Sequence, residues 1–218
     1  MRIVVILEIY MKLSVLPITA MFLAISACSQ ASEPAAQLAA EPISSPAKSM
    51  ELIGNWLVVK DDSHVKFTAT QQGSEFTGEL KAYDVMINFT EDAIEDANVI
   101  ATIDIGSVSA GDKDRDGALP GKDWFDVKAF PKAVFQSDDF VKTGNNSYEA
   151  RGTLSMKGKS QPLTLPFTLD ITGAKAEMTG SITLDRTLWE VGTGAWSTDE
   201  WVSTKVTVDI KISAESPF

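Results

Sequence analysis

Pro162–Ile171, PLTLPFTLDI, carries an apolar residue at every second position: Leu163, Leu165, Phe167, Leu169 and Ile171 alternate with Thr164, Pro166, Thr168 and Asp170. Successive side chains of a strand point to opposite faces, so a period of two marks a strand with one face in a core and the other in water. From Leu163 to Ile171 such a strand is about 30 Å long.

The pattern repeats on both sides. Tyr148, Ala150, Gly152, Leu154 and Met156 form one apolar row, and Ala176, Met178, Gly180, Ile182 and Leu184 another. Val206, Val208, Ile210, Ile212 and Ala214 follow near the end; Val65, Phe67 and Ala69, then Val99, Ala101, Ile103 and Ile105, come earlier. Between Phe76 and Phe89 the parity changes, from Phe76, Gly78, Leu80 and Ala82 to Val85, Ile87 and Phe89. A β-bulge near Tyr83-Asp84 in one bent strand accounts for that change. With Trp56–Val59 and Val134–Phe140 the chain has eight or nine strands, punctuated by turn signals at Gln72-Gly73, Gly144-Asn145-Asn146, Lys157-Gly158-Lys159 and Gly173. This predicts an all-β fold, a sandwich or an up-and-down barrel of about eight antiparallel strands. A barrel of that size can enclose one small ligand. Small residues such as Ala69, Gly78, Ala101 and Gly180 interrupt the inward rows, which leaves open whether a cavity persists or bulky neighbours fill it.

One stretch breaks the run of strands. Ser109–Ser137, SAGDKDRDGALPGKDWFDVKAFPKAVFQS, concentrates charge and aromatics. Its first part, about 112–120, reads as a short helix stopped by Pro120 and Gly121. Asp112, Asp114, Asp116, Gly117 and Asp123 match much of a calcium-loop spacing. Against a calcium site, Asp123 is shorter than the usual Glu, Pro120 takes the ninth position and no amphipathic helices flank the loop. A charged loop solvated on one face fits better, and the expectation is no metal.

The N-terminus reads as export. Met11-Lys12 followed by the apolar run Leu13–Ile25 makes a signal peptide over 1–27, with Met11 the better start because Glu8 interrupts an apolar segment. Ile25-Ser26-Ala27-Cys28 resembles a bacterial lipobox, in which the cysteine is lipidated; Cys28 is the chain's single cysteine. Residues 28–50, rich in Pro, Ala and Ser, read as a flexible tether of about 25 Å, followed by the domain at 51–218. The formal net charge is −11, and the chain after residue 27 holds 17 basic and 29 acidic residues, a net −12. That excess argues against nucleic acid and anionic membrane surfaces as partners. It leaves an apolar small molecule, a neutral lipid or a basic protein.

Chemistry-bearing motifs are sparse. His64 is the single histidine, so neither a histidine metal cluster nor a Ser-His-Asp set can be built around others. It alternates with Val65 and is expected to face solvent at a strand start. No phosphate loop or dinucleotide fingerprint occurs, and no carboxylate spacing marks an acid–base pair. The expectation is a binding protein rather than an enzyme.

Several motifs in order resemble the YceI-like family of lipocalin-like, polyisoprenoid-binding bacterial periplasmic proteins. They are Asp62-Ser63-x-Val65-x-Phe67; Arg115-Asp116-x-x-Leu119 with Asp123-Trp124-Phe125-Asp126-Val127; and Phe130-Pro131-x-x-x-Phe135. Later come Gly152-Thr153-Leu154-x-Met156-x-Gly158, Pro162–Leu165, Leu184-Asp185-Arg186-Thr187 and Val191-Gly192. Many members carry a histidine just before the serine where Asp62 stands here, so nothing known of that histidine transfers to His64. The resemblance implies an antiparallel barrel holding an isoprenoid lipid or quinone, in the bacterial periplasm. The lipobox separately implies a membrane anchor through the lipidated Cys28, with Ser29 resembling an outer-membrane sorting signal, and the expectation is no other cofactor, no nucleic-acid partner and no membrane contact beyond that anchor.

On this reading Phe67, Phe76, Leu80 and Ile103 point inward, as do Leu154, Leu165, Phe167, Met178 and Ile182, as core or as tunnel lining. Trp124, Phe125, Trp189 and Trp196 cover one mouth, since aromatics with a polar atom suit a rim that meets both lipid and water. Arg115, between Asp114 and Asp116, and Arg186, after Asp185, are read as ion-paired structural knots in preference to headgroup contacts.

Overall fold

The computed structural model describes residues 55–217. The expected signal peptide, the lipidation site Cys28 and the tether lie outside the described residues. Strands form where the side chains alternate. In chain order they are β1 (Leu57–Val58), β2 (His64–Gln71), β3 (Ser74–Leu80), β4 (Tyr83–Asn88), β5 (Asn98–Asp104) and β6 (Val108–Ser109). The helix α1 (Lys113–Ala118) follows, then β7 (Lys132–Lys142), β8 (Ser147–Met156), β9 (Lys159–Thr172), β10 (Lys175–Asp185) and β11 (Lys205–Glu215). All pairings are antiparallel, in the order β4-β5-β7-β8-β9-β10-β11-β2-β3-β6, with β1 added beside β11. The sheet is curled into a half-barrel with its apolar rows on the concave side.

Two hairpins close as their sequences demand. Gln72-Gly73 and Lys157-Gly158 join partners Gln71↔Ser74 and Met156↔Lys159, and all four loop residues have positive φ, between 49° and 79°. Such two-residue turns match the right-handed twist of the strands they join.

The expected bulge in one bent strand at Tyr83-Asp84 is not what forms. The chain leaves the ladder at Lys81-Ala82 and splits into β3 and β4, which lie near opposite ends of the pairing order. Ala82 is held outside any strand, its N–H donating to Ser107 Oγ (2.9 Å) and its carbonyl accepting from Asp104 N–H (2.9 Å). A change of strand resets parity as a bulge does, so the two give the same sequence pattern. A register shift does occur in β7, between Ser137 and Asp139 opposite β8. The Ser137 hydroxyl satisfies it, donating to Arg151 O at 2.8 Å and accepting from Asp139 N–H at 3.4 Å. Phe135 and Phe140, five apart, both reach the interior because of it.

The β4 edge of the sheet is tied to residues 55–60, which pair in turn with β11. Trp56 bridges Ile87 of β4, and β1 pairs with β11. The Asn55 amide donates to Phe89 O (3.1 Å) and accepts from Phe89 N–H (2.9 Å), and the Trp56 indole donates to the same carbonyl at 3.0 Å. Lys60 places its ammonium 4.2 Å from the Tyr83 ring centre.

Candidate ligand-binding cavity

The concave face is not filled. A cavity of about 590 Å³ runs inside the curl, within the range of about 300–1,000 Å³ usual for small-molecule sites. It persists because the inward rows alternate large with small: Ala69, Ala101, Ala150 and Ala176 line it beside Phe67, Phe135, Leu165 and Met178. Along β10 its lining extends from Ala176 to Leu184, a rise of about 26 Å.

All the residues expected to face a ligand line this cavity. Phe67, Phe76, Leu80 and Ile103 do so from β2, β3 and β5, and Leu154, Leu165, Phe167, Met178 and Ile182 from β8 to β10. One end is packed with rings: Phe89 and Phe140 meet at 6.0 Å, and Tyr148 stacks on Phe167 at 5.5 Å with 20° between planes. Tyr148 is buried, and its hydroxyl donates to Glu91 at 3.0 Å; burial pushes that phenol above its ordinary pKa.

The other end is covered by the α1 insertion and the loop from Arg186 to Val202. They are tied by Thr193 N–H donating to Asp123 O (2.7 Å), and by the Lys157 ammonium, which donates to Lys122 O (2.9 Å) and Glu190 O (2.7 Å). Burial lowers the pKa of Lys157. Trp124 and Trp196 pack with ring centres 5.7 Å apart and are half-buried, as a cover should be, with Phe125 beside them. Trp189 departs from its expected place on the rim: it is 2% exposed and its indole donates to Leu154 O at 3.0 Å. That acceptor on β8 removes the need for water at its nitrogen.

The two arginines also depart from expectation, since neither is ion-paired among the described residues. Arg186, 5% exposed, directs its five N–H donors at backbone carbonyls: Nε to Ser203 O (2.9 Å), Nη1 to Val191 O (2.6 Å) and Gly192 O (3.3 Å), Nη2 to Trp196 O (2.6 Å) and Val202 O (2.9 Å). It also lies 5.3 Å from the Trp124 ring centre. Desolvation lowers its pKa, opposed by the charges of Asp199 and Asp185. Asp185 points instead to Thr187, whose hydroxyl and N–H it accepts from, and to Lys205 at 3.0 Å. These bonds, the Thr187 hydroxyl first, hold its carboxyl below the usual range. Arg115 donates to Ala110 O from Nε (3.4 Å) and Nη2 (3.3 Å) and to Gln71 Oε1 from Nη1 (3.2 Å), and lies 4.5 Å from the Phe76 ring centre.

Two of the calcium-like carboxylates serve the backbone. Asp112 caps α1, accepting from Asp114 N–H (3.0 Å) and Arg115 N–H (3.1 Å), which lowers its pKa. Asp116 accepts from Ala110 N–H (2.5 Å) and Ser109 Oγ (3.1 Å). No group of three or more His, Cys, Asp or Glu able to hold a metal occurs among the described residues. His64 is half-buried at the start of β2, opposite Lys211. Gln71 is a lining residue that the sequence reading passed over. Its signal was parity, since it continues the inward row of Phe67 and Ala69.

This geometry has relatives. The crystal structure of BcnA from Burkholderia cenocepacia superimposes with a TM-score of 0.69 at 30% identity, covering 72% of this chain and 99% of that one. A polyisoprenoid-binding domain from Saccharophagus degradans matches with a TM-score of 0.61 at 13% identity, over 75% of this chain and 99% of that one, a likeness of fold alone. Among curated proteins, UPF0312 proteins of Shewanella denitrificans and Photorhabdus laumondii are 28% and 32% identical over 102 and 88 residues, or 46% and 40% of this chain and 53% and 45% of theirs. The chain thus spans about half the length of the curated relatives it matches. The model of the YceI-like domain matches residues 56–214, nearly the whole described fold, and the chain belongs to the YceI-like family.

Proposed function

We propose that the protein binds one isoprenoid lipid or isoprenoid-tailed quinone, with the tail in the cavity, and carries it within the bacterial periplasm. The observation that supports this is the unfilled apolar interior of about 590 Å³, whose polar side chains gather mainly at the end under the α1 insertion. Transfer of a hydrocarbon tail into such a space is favourable by about 25 cal/mol per Å² of apolar surface removed from water. The Saccharophagus degradans neighbour, described as polyisoprenoid-binding, supports the same ligand class. The lipobox at Cys28 supports tethering to a membrane, the outer one on the strength of Ser29, and the net acidic chain argues against nucleic acid. Binding rather than catalysis is the reading, because the carboxylates that line the cavity, Asp112 and Asp114, are exposed at its end.

Native mass spectrometry of the protein taken from its own membrane fraction, with lipid extraction, tests it. A stoichiometric isoprenoid or quinone adduct is expected. Ala101→Trp, which places an indole in the lining, should abolish the adduct while the fold survives. A bare polypeptide that also takes up no added quinone or polyprenol would overturn the proposal.

A further inference from the structure

Resting on the reading of Cys28 as a lipid anchor, we propose that the outer faces of β1, β4 and β5 form a docking surface for the membrane that holds it. Leu57, Met86 and Ile100 lie there against the surface of a zwitterionic bilayer.

Leu57 and Met86 are two of the four large apolar side chains left exposed among the described residues, at 60% and 40%. Parity puts them outside. Trp56, Val85, Ile87, Val99 and Ala101 line the cavity, so Leu57, Met86 and Ile100, alternating with them, point the other way. The antiparallel bridge of Trp56 with Ile87 sets Leu57 beside Met86, and Met86 stands directly opposite Ile100. Val134, opposite Thr102 and flanked by the lining residues Ala133 and Phe135, extends the row diagonally. The outward rows of β10 and β11 are polar by contrast, with Thr179, Ser181 and Thr183 on one and Thr207, Asp209 and Lys211 on the other. A contiguous apolar row on a polar exterior marks an interaction surface.

A lasting protein partner needs more than this, since stable interfaces gather about 20–30 residues a side. Here four apolar residues are closely bounded by polar groups. Asp84 pairs with Lys60 at 3.6 Å, Glu215 with Lys175 at 3.7 Å, and Asp104 stands opposite Lys132. Asn88, Asn98 and Gln136 follow along the same strands, with Asp61, Asp62 and Asp96 just beyond. The rim has no positive excess to attract anionic lipid, which leaves apolar contact with a neutral surface. The route of the chain is what populates so small a contact. The described fold begins at Asn55, two residues before Leu57, so residues 28–54 join it beside the patch. By composition they are a tether of about 25 Å, and a short flexible tether raises effective concentration to about the millimolar range. With Cys28 in a bilayer, the surface held at that concentration is the bilayer itself. This is a membrane contact beyond the anchor, against the expectation from the sequence.

The test uses the acylated full chain in phosphatidylcholine vesicles with and without brominated phosphatidylcholine, whose bromine quenches a fluorophore on contact. Acylation blocks the Cys28 thiol, so Met86→Cys, Ile100→Cys, Thr179→Cys and Leu188→Cys each offer one thiol for a solvent-sensitive label. Labels at 86 and 100 should shift to the blue and lose emission to bromine. Labels at 179, on the outer face of β10, and at 188, at the covered end, should keep theirs. Leu57→Asp, at a side chain already mostly in water, should restore emission at 100 with the melting temperature unchanged. Equal quenching at all four positions, or at none, overturns the docking surface. Quenching at 188 alone would move the contact to the covered end, and a disulfide between two Met86→Cys chains would seat a second copy on the patch; either overturns it too. If the chain does not float with the vesicles, the anchor reading itself fails and the docking surface with it.

Discussion

Arg186 and Arg115 are both cations under the same cover of the cavity, and they are used in opposite ways. Arg186 is buried with its five donors distributed over five carbonyls of the 191–203 loop. Arg115 is half-buried, rests on Phe76 and commits three donors at 3.2–3.4 Å. A buried guanidinium with no carboxylate in direct contact is tolerable only when every N–H has an acceptor, so Arg186 is bound to its loop and has nothing left for a ligand. Arg115 keeps contact with water and spare donors, the condition of a group that can still bind something. A charged residue facing a cavity is therefore judged by the donors it has left rather than by its sign.

The sharpest way to break the comparison is to remove each cation. Arg186→Met leaves five carbonyls without their donor and should cost about 3–5 kcal/mol, a fall in melting temperature of roughly 10 °C. Arg186→Lys, with three donors on a point charge, should recover less than half of it. Arg115→Met should cost about 1 kcal/mol or less. Equal losses in calorimetry would erase the distinction.

Glycines extend the contrast from the two arginines to the regions around them. In the β7–β8 wall, a Cβ at Gly152 would lie 2.1 Å from Gln136 O and 2.8 Å from Ser137 Cβ, just before the bulge. Gly152→Ala should therefore destabilise by about 2 kcal/mol or more. In α1, beside Arg115, a Cβ at Gly117 meets nothing within 4 Å. Gly117→Ala should stabilise by about 0.5–1 kcal/mol through helix propensity. Urea midpoints of the two variants should thus move in opposite directions.

The smallest effect concerns acid. Asp185 and Asp199 in the Arg186 region, like Asp112 beside Arg115, have pKa values lowered by accepted hydrogen bonds. A carboxyl depressed in the folded state adds stability that is fully present above its unfolded pKa of about 4 and is lost as pH falls through the folded value. The urea midpoint should be insensitive to these groups from pH 7 down to about 4 and decline below it. Asp185→Asn should flatten that decline, measurably more than Asp114→Asn, whose side chain accepts no hydrogen bond among the described residues.

Much of this was legible beforehand. The alternating rows named β2, β5 and β8 to β11 directly, and the inward residues they implied line the cavity. The stop at Pro120-Gly121 located α1, and Asp112 caps it as its type and position allow. The break at Lys81-Ala82 was misread because parity alone cannot separate a bulge from a change of strand. The β7 bulge was missed although Phe135 and Phe140, an odd number apart, carried its signal. Trp189 was assigned to the rim because no sequence shows that Leu154 O would receive its indole.

The sequence by itself determined the strands, their faces, the helical insertion and the family, since these follow from local periodicity and from motifs carried in order. Only the tertiary structure decided that the interior stays open and that one arginine is consumed while the other keeps donors free. Those outcomes depend on which atoms meet across long stretches of chain, such as Arg115 with Gln71, or Trp189 with Leu154, and on whether each buried donor finds an acceptor there.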